Sequence, residues 1–319
     1  MLDVERLLAD CLQDVRAVPR GTVPVDSASP EYEAARRTFL SAGLSALRED
    51  RPEDGWVQIN LAPGPATWCR TYRAVADTAR DLIAAGSARS FFFMHKPPGL
   101  RVRFEAARSD SEALREELVR RFRGVDGRSG PPLCGRYEPE TYLFGGLRSM
   151  RHVHDLFTVD SLAWLDHHDT VAEGRLEAVP DWRFSLYLLG ELLDGLGIVG
   201  WEHRGVWQVL RDDIGRGLGT DPDEDARRAA AGILAVWRSR GPDLLAPLPP
   251  QRRAAVEAHG NALRRAAEAW RTGYFESGEA VLGPRRAAAH YVVFHWNRGR
   301  LSLARQGLLT DALAGDGRF

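Results

Sequence analysis

Two arginines on one short alternating stretch, Leu100-Arg101-Val102-Arg103-Phe104-Glu105, have the types and spacing to do chemistry. On a strand, Leu100, Val102 and Phe104 face one side, and Arg101, Arg103 and Glu105 face the other. Side chains two apart stand roughly 6.5–7 Å from each other, so both guanidiniums can grip one ligand through paired N–H donors. The same pattern fits a solvated sheet face, and the elements covering it decide between the two. A second set lies on the helix that opens at Pro284. There His295, Arg298 and Ser302 share one polar stripe, while Val292, Trp296 and Leu303 form the opposing core-facing stripe. Here too a solvated stripe competes with a functional one.

Other chemistries lack their hardware. Gly195-Leu196-Gly197-Ile198-Val199-Gly200 matches the dinucleotide fingerprint by letter, but the preceding Phe184–Asp194 stretch has helical rather than strand character. A glycine-rich helix junction is expected instead. His152, His154, His167 and His168 cluster in sequence, yet residues one or two apart on a helix point to different faces, so solvated helix faces are expected rather than a metal site. Cys11, Cys69 and Cys134 are scattered and odd in number, with no CxxC or zinc spacing. No nucleophile elbow, HExxH, Walker loop or kinase signature occurs.

The elements that must position these residues follow from periodicity. Trp56–Leu61 alternates as a strand, Trp68–Ala85 repeats as a helix, and Ser90–Met94 is a short apolar strand. Lys96-Pro97-Pro98-Gly99 turns the chain into the return strand 100–105. Ser111–Phe122 is a helix with Leu114, Leu118 and Phe122 on one face, and Leu133–Glu138 is the last strand. The order strand–helix–strand–strand–helix–strand is the ferredoxin-like split βαβ unit. Beyond Gly145-Gly146, helical spacing dominates, in segments near 147–168, 181–196, 202–213, 224–240, 252–275 and 285–306. The expected fold is therefore α+β, a ferredoxin-like sheet packed against a largely helical second half. Its parts are a helical extension over 1–50, broken near Pro19–Pro30, an α/β part over 51–146 and a helical part over 147–319, together forming one compact domain.

Composition bounds the partners. Of 319 residues, 44% are hydrophobic and 27% charged, ordinary for a globular protein with a real core. A net charge of −1 gives no field for nucleic acid or membrane. Basic charge is almost entirely arginine. The first residues lack the uncharged stretch of a signal peptide, and no apolar run reaches transmembrane length, so a cytoplasmic location is expected.

Several motifs together carry a resemblance. Ser90–Phe104, an aromatic strand, a turn and then Leu-Arg-Val-Arg-Phe, resembles the elimination-domain signature of lantibiotic dehydratases. Tyr137-Glu138-Pro139-Glu140 followed by Phe144-Gly145-Gly146 resembles that family's Tyr-x-x-Glu and Tyr-Gly-Gly block. Leu156–Ser161 resembles its Phe-x-x-Asp-Ser block, and Phe294-His295-Trp296-Asn297-Arg298 its Asn-Arg block. The order agrees from Trp56 to Leu303. Full-length dehydratases also carry a large glutamylation domain, for which this chain has no length, so the resemblance is to the free-standing thiopeptide-type relatives. Some of these eliminate glutamate; others are pyridine synthases. Eliminators usually place an arginine where Leu143 stands and a histidine where Val293 stands, and these departures favour the synthase.

The resemblance implies a thiopeptide pyridine synthase that joins two dehydroalanines by a formal aza-cycloaddition and expels water and leader peptide. It assigns Arg101 and Arg103 to polarising amide carbonyls, His295 to proton transfer with Arg298 beside it, Tyr137 to proton donation and Glu140 to orienting the arginines. His95, at the hairpin corner, is a further candidate. No cofactor or metal follows. The implied partners are a modified precursor peptide bearing its leader, which an exposed sheet edge or a cationic groove can accept, and other biosynthetic enzymes. A glutamate-eliminating lyase and a non-catalytic peptide-binding partner are the alternatives.

Overall fold

The computed structural model describes residues 6–11, 29–49, 55–107, 111–172, 179–219, 222–239 and 242–315. The chain divides into two compact units, Met1–Asp54 and Gly55–Phe319. In the first, helix α1 (Pro30–Glu49) is tied to the short helical stretch 6–11, where Asp10 accepts from the Tyr32 hydroxyl at 2.8 Å. The expected break near Pro19–Pro30 lies almost wholly outside the described residues.

In the second unit, β1 (Trp56–Leu61), α2 (Trp68–Ala84), β2 (Ala88–Lys96), β3 (Gly99–Ala106), α3 (Ser111–Phe122) and β4 (Leu133–Gly135) form the split unit. Its antiparallel sheet has the order β2-β3-β1-β4. This is the ferredoxin-like strand order expected from the sequence. Alternation sorts the two faces as predicted. Val57, Ile59, Leu61, Phe91, Phe93, Leu100, Val102 and Phe104 are buried, and α2 and α3 pack over this sheet, with Phe104 against Phe122 at 6.4 Å. On the other face the register lines up Phe92, Arg103, Gln58 and Gly135 in one row, and Met94, Arg101, Asn60 and Leu133 in the next.

The helical half comprises α4 (Leu147–Ala172), α5 (Asp181–Gly195), α6 (His203–Asp212), α7 (Glu224–Arg238), α8 (Pro250–Trp270), α9 (Pro284–Arg298) and α10 (Leu303–Ala314). α4 lies along β2, the edge strand. Its Thr158 and Ser161 hydroxyls accept the Phe91 and Phe93 backbone N–H groups at 3.0 and 3.3 Å. An edge strand's outward N–H groups are a liability, and a buried one left unbonded costs about 1–3 kcal/mol. The glycine-rich junction after α5 is a helix end, as expected. A Cβ on Gly195 would meet the Arg264 carbonyl of α8 at 2.5 Å, so the two helices approach closely only because nothing projects there.

Three sequence expectations need correction. β4 is three residues long rather than six, because Tyr137 turns into the core, 1% exposed, and Pro139 has no N–H for a ladder. The segment 285–306 is two helices: α9 stops at Arg298, Arg300 takes a left-handed φ of 55°, and Ser302 caps α10 by accepting from the Arg305 N–H. Ser302 therefore does not share a helix face with His295 and Arg298. Leu303, placed in the core stripe from sequence, is 68% exposed.

Candidate active site

The arginine face of the sheet is covered where α4 and α9 cross it. Arg103 is 6% exposed. Its Nε donates to Gln58 Oε1 on the neighbouring strand at 2.8 Å, and its guanidinium lies 4.5 Å from the Tyr137 ring centre and 5.0 Å from that of Phe92. Arg298, at the end of α9, is fully buried. It lies 4.1 Å from the Phe157 ring centre and 5.9 Å from that of Phe92. Two guanidiniums thus share one aromatic ring. Burial pulls the Arg103 guanidinium below its usual range; Tyr137 and Glu140 oppose that fall, and the Arg101 and Arg298 charges add to it. Arg101, in the next row, is half-buried.

What holds Arg298 in place is a buried carboxylate. Asp160 Oδ2 accepts from Arg298 Nη1 at 2.8 Å, and Oδ1 lies 2.7 Å from His295 Nδ1, all three side chains being 0% exposed. Burial acts to raise the Asp160 carboxyl, but His295 and Arg298 outweigh it and hold it below the ordinary carboxylate range. His295 Nε2 lies 2.9 Å from the Ser185 hydroxyl, which also accepts from Trp296 Nε1. The imidazole is enclosed with both nitrogens engaged. Of the stripe weighed as solvated, His295 and Arg298 are thus interior while Ser302 is exposed, and His295 reaches the arginines only through Asp160.

Phe157, Asp160 and Ser161 sit at i, i+3 and i+4 on one face of α4, and each does something different. Phe157 lies beneath Arg298, Asp160 anchors Arg298 and His295, and Ser161 satisfies the β2 edge.

Two groups in the cluster are left unsatisfied. Arg298 Nε and Nη2 are buried without a hydrogen-bond partner among the described residues, and so is Glu140 Oε2. Glu140 precedes the short turn Thr141–Leu143, which leads through Gly145 and Gly146 into α4. Buried N–H groups of a charged side chain are rarely left empty. They are ready donors for a carbonyl or carboxylate.

Tyr137 is buried beside Arg103, but its hydroxyl is committed. Burial lowers His154 to about 3, with Arg89 and Arg103 adding to the effect, so the ring is neutral, and its Nε2 lies within hydrogen-bond distance of the Tyr137 hydroxyl at 2.9 Å. His95 belongs to the opposite face of the sheet. Its Nδ1 lies 3.1 Å from the Asn297 carbonyl and its Nε2 2.9 Å from the Tyr72 hydroxyl. His168 Nε2 lies 2.8 Å from the Arg298 carbonyl. Burial holds His95 to about 3 and His168 to about 4. These two rings satisfy the last carbonyls of α9 and so fix the helix end that carries Arg298.

The structure therefore gathers Arg103, Tyr137 and Arg298 around Phe92, with Arg101 and Glu140 near enough for their charges to act on Arg103. It places His295 behind Asp160 and His95 beyond the sheet. Gln58, His154 and Asp160 were missed as functional residues, although Asp160 lies within the Phe-x-x-Asp-Ser block and Gln58 is the register partner of Arg103. The expectation that the four clustered histidines lie on solvated faces also fails for His154 and His167, which are 8% and 7% exposed. His167 instead pairs with Asp181 at 2.8 Å. Among the described residues no group of three or more His, Cys, Asp or Glu side chains converges on a metal position, and no helix is long and apolar enough to cross a membrane. A separate cavity of about 330 Å³ lies among Asp166, His167, Phe184, Arg252 and His259, but its Asp166 is already paired with Arg80 and His259.

No curated protein sequence matches this chain significantly. Among solved structures, the tRNA-dependent lantibiotic dehydratase MibB from Microbispora sp. 107891 is similar, with a TM-score of 0.58 and 18% identity. The similarity covers 81% of this chain but only 28% of that one, so this chain spans less than a third of that relative. At such identity the likeness is one of fold. The family model for the lantibiotic biosynthesis dehydratase C-terminal region matches residues 56–314, from the first residue of β1 to the last of α10. The chain belongs to that family.

Proposed function

We propose that this protein is a thiopeptide-type pyridine synthase, which joins two dehydroalanines of a modified precursor peptide and releases water and the leader. The observation that carries the reading is the buried arginine pair, with two Arg298 nitrogens unbonded, together with an unbonded oxygen on Glu140, whose charge acts on Arg103. A backbone amide that shifts to its iminol tautomer needs donors at its oxygen and an acceptor for its N–H proton. Arg103 and Arg298 supply preorganised donors in a water-poor site, and Glu140 supplies the acceptor. Ring closure then depends on holding two distant residues together, an entropic contribution. His295 acts through Asp160 as a positioning residue, and His95 acts likewise on the end of α9.

Leu143 and Val293, where eliminators carry arginine and histidine, are partly buried apolar residues packed on the core. They favour the synthase. The second reading is a glutamate-eliminating lyase, favoured by the same unbonded Arg298 donors, which fit a departing carboxylate equally well.

Product mass separates the two. Purified protein incubated with a dehydrated, azole-bearing precursor gives a macrocycle with loss of water and leader under the first reading. Under the second, a glutamylated precursor loses glutamate and keeps its leader. Arg101→Ala should abolish macrocycle formation while leaving leader binding near wild type. Intact precursor in both reactions would overturn the catalytic reading and leave a peptide-binding partner.

A further inference from the structure

The arginine face does not end at Arg101. One row further along the same face stands Lys96, paired with Gly99 across the hairpin. It is the single lysine in a chain whose 43 basic residues are otherwise arginine. Lys96, Arg101 and Arg128 line a groove of about 210 Å³ with Asn60, Pro98 and Leu133, and no carboxylate lines it. Asp126 approaches Arg128 at 3.9 Å, but its oxygens are already taken by the Ala62 and Arg128 backbone N–H groups at 3.0 and 3.1 Å. Three cations around a small concavity repel one another and are relieved by an anion. Leu133, 63% exposed, offers a short apolar stem a wall.

We infer that this groove binds a carboxylate side chain of the substrate peptide, an aspartate or glutamate outside the reacting residues, and so sets where along the peptide the reaction falls. The inference rests on the reading that the peptide reacts at the Arg103–Arg298 cluster. Arg101 joins the two places, because it faces the groove and also stands beside Arg103. An extended peptide advances about 3.3 Å per residue, so a side chain held between Lys96 and Arg128 lies only a few residues from one at Arg103. A lysine suits such a groove, because its compact ammonium follows a moving carboxylate on a flexible stem, where a guanidinium fork would demand one fixed geometry.

The lone ε-amine makes the test direct. The full chain is treated with an amine-acetylating ester, and acetylation of Lys96 is read by peptide mass, alone and with three synthetic peptides. The first carries three glutamates with both ends blocked, the second replaces these by glutamine, and the third is the glutamine peptide with a free C-terminal carboxylate. Fluorescence anisotropy gives the corresponding affinities. The glutamate peptide should protect Lys96, and its affinity should fall about fivefold in K96Q/R128Q and to a similar degree in the acetylated wild-type protein, whose fold is untouched. Added salt should weaken it further, since both cations are exposed.

Equal binding of the glutamine peptide, or absence of protection, would overturn the inference. Protection by the third peptide alone would also overturn it, in favour of a terminal-carboxylate site. Protection without product in any precursor reaction would instead overturn the catalytic reading and leave the groove standing.

Discussion

Replacing Asp160 by asparagine removes one negative charge and almost no volume, and the structure sets how much that should matter. Asp160 is fully buried and accepts from both Arg298 Nη1 and His295 Nδ1. The Arg298 side chain has no other hydrogen-bond partner among the described residues, since its Nε and Nη2 are unbonded. Its remaining support is the Phe157 face at 4.1 Å, a contact that contributes about 2 kcal/mol when desolvated and cannot neutralise the charge. Breaking a buried ion pair from one side typically costs about 3–5 kcal/mol. Asparagine keeps one acceptor oxygen, so the expected loss lies near the lower end, about 3 kcal/mol. Urea unfolding followed by tryptophan fluorescence measures it, because Trp164, Trp207, Trp270 and Trp296 are fully buried reporters. The companion variant Asp160→Leu/Arg298→Met removes both charges, and should be less destabilised than Asp160→Leu alone. The pH dependence has a definite sign. A carboxylate whose folded pKa is depressed contributes fully above its unfolded value near 3.9, and that contribution fades as pH falls through the folded value. The gap between wild type and Asp160→Asn should therefore be flat from pH 7 to about 5 and close only at lower pH. A loss below about 1 kcal/mol, or a double variant at least as unstable as Asp160→Leu, would refute the assignment of Asp160 as the anchor of Arg298.

Two other outcomes are expected. His95 and His154 are held by burial to about 3 and His168 to about 4, so below pH 6.5 the unfolded chain binds more protons than the folded one. Stability should fall by up to about 1.4 kcal/mol per pH unit for each ring, with His152 and His290, also lowered by burial, adding to the fall, and His154→Gln should flatten the slope of Tm between pH 6 and 5. A Cβ at Gly99 would collide with the Leu61 carbonyl and stand 2.7 Å from Ala62 Cα, both backbone atoms that cannot give way. Gly99→Ala should lower stability by about 2 kcal/mol in urea unfolding, and an unchanged midpoint would mean that the hairpin shifts freely.

Strand periodicity made the sheet legible, because a period of two sorts Leu100, Val102 and Phe104 from Arg101 and Arg103 whatever covers them. It could not tell a wet arginine from a buried one. That depends on Phe157 and Arg298, which reach the sheet from α4 and α9. Burial of His295 was illegible for the same reason, since its partner Asp160 lies 135 residues earlier in the chain. His152 and His154 show how adjacent spacing misleads. Two residues apart on one helix, they point to different surroundings, His154 under Tyr137 and His152 against Gly273. The length of β4 was misjudged because the pattern of Leu133–Glu138 suits a strand, whereas the pull on Tyr137 comes from Trp56, Phe92 and Arg103 across the sheet.

The charges around Phe92 explain why a fold of this kind keeps an expensive interior. Arg103 stands within reach of the Arg101, Arg298 and Glu140 charges, and Arg298 pairs with the buried Asp160, so among these five groups positive charge exceeds negative by one. Asp160 commits both oxygens to positions behind Arg298, which leaves the far side of that guanidinium unneutralised. In a low-dielectric site such a surplus acts strongly on any oxygen that gains negative charge, and only weakly on a neutral amide. The same surplus would draw a free carboxylate into the cluster and block it. A cationic groove one row away, with its own lysine, gives an acidic side chain of the peptide somewhere else to go. Electrostatic pull at the hairpin mouth and electrostatic strength at Arg298 are thus two positions on one sheet face, separated by the single side chain of Arg101.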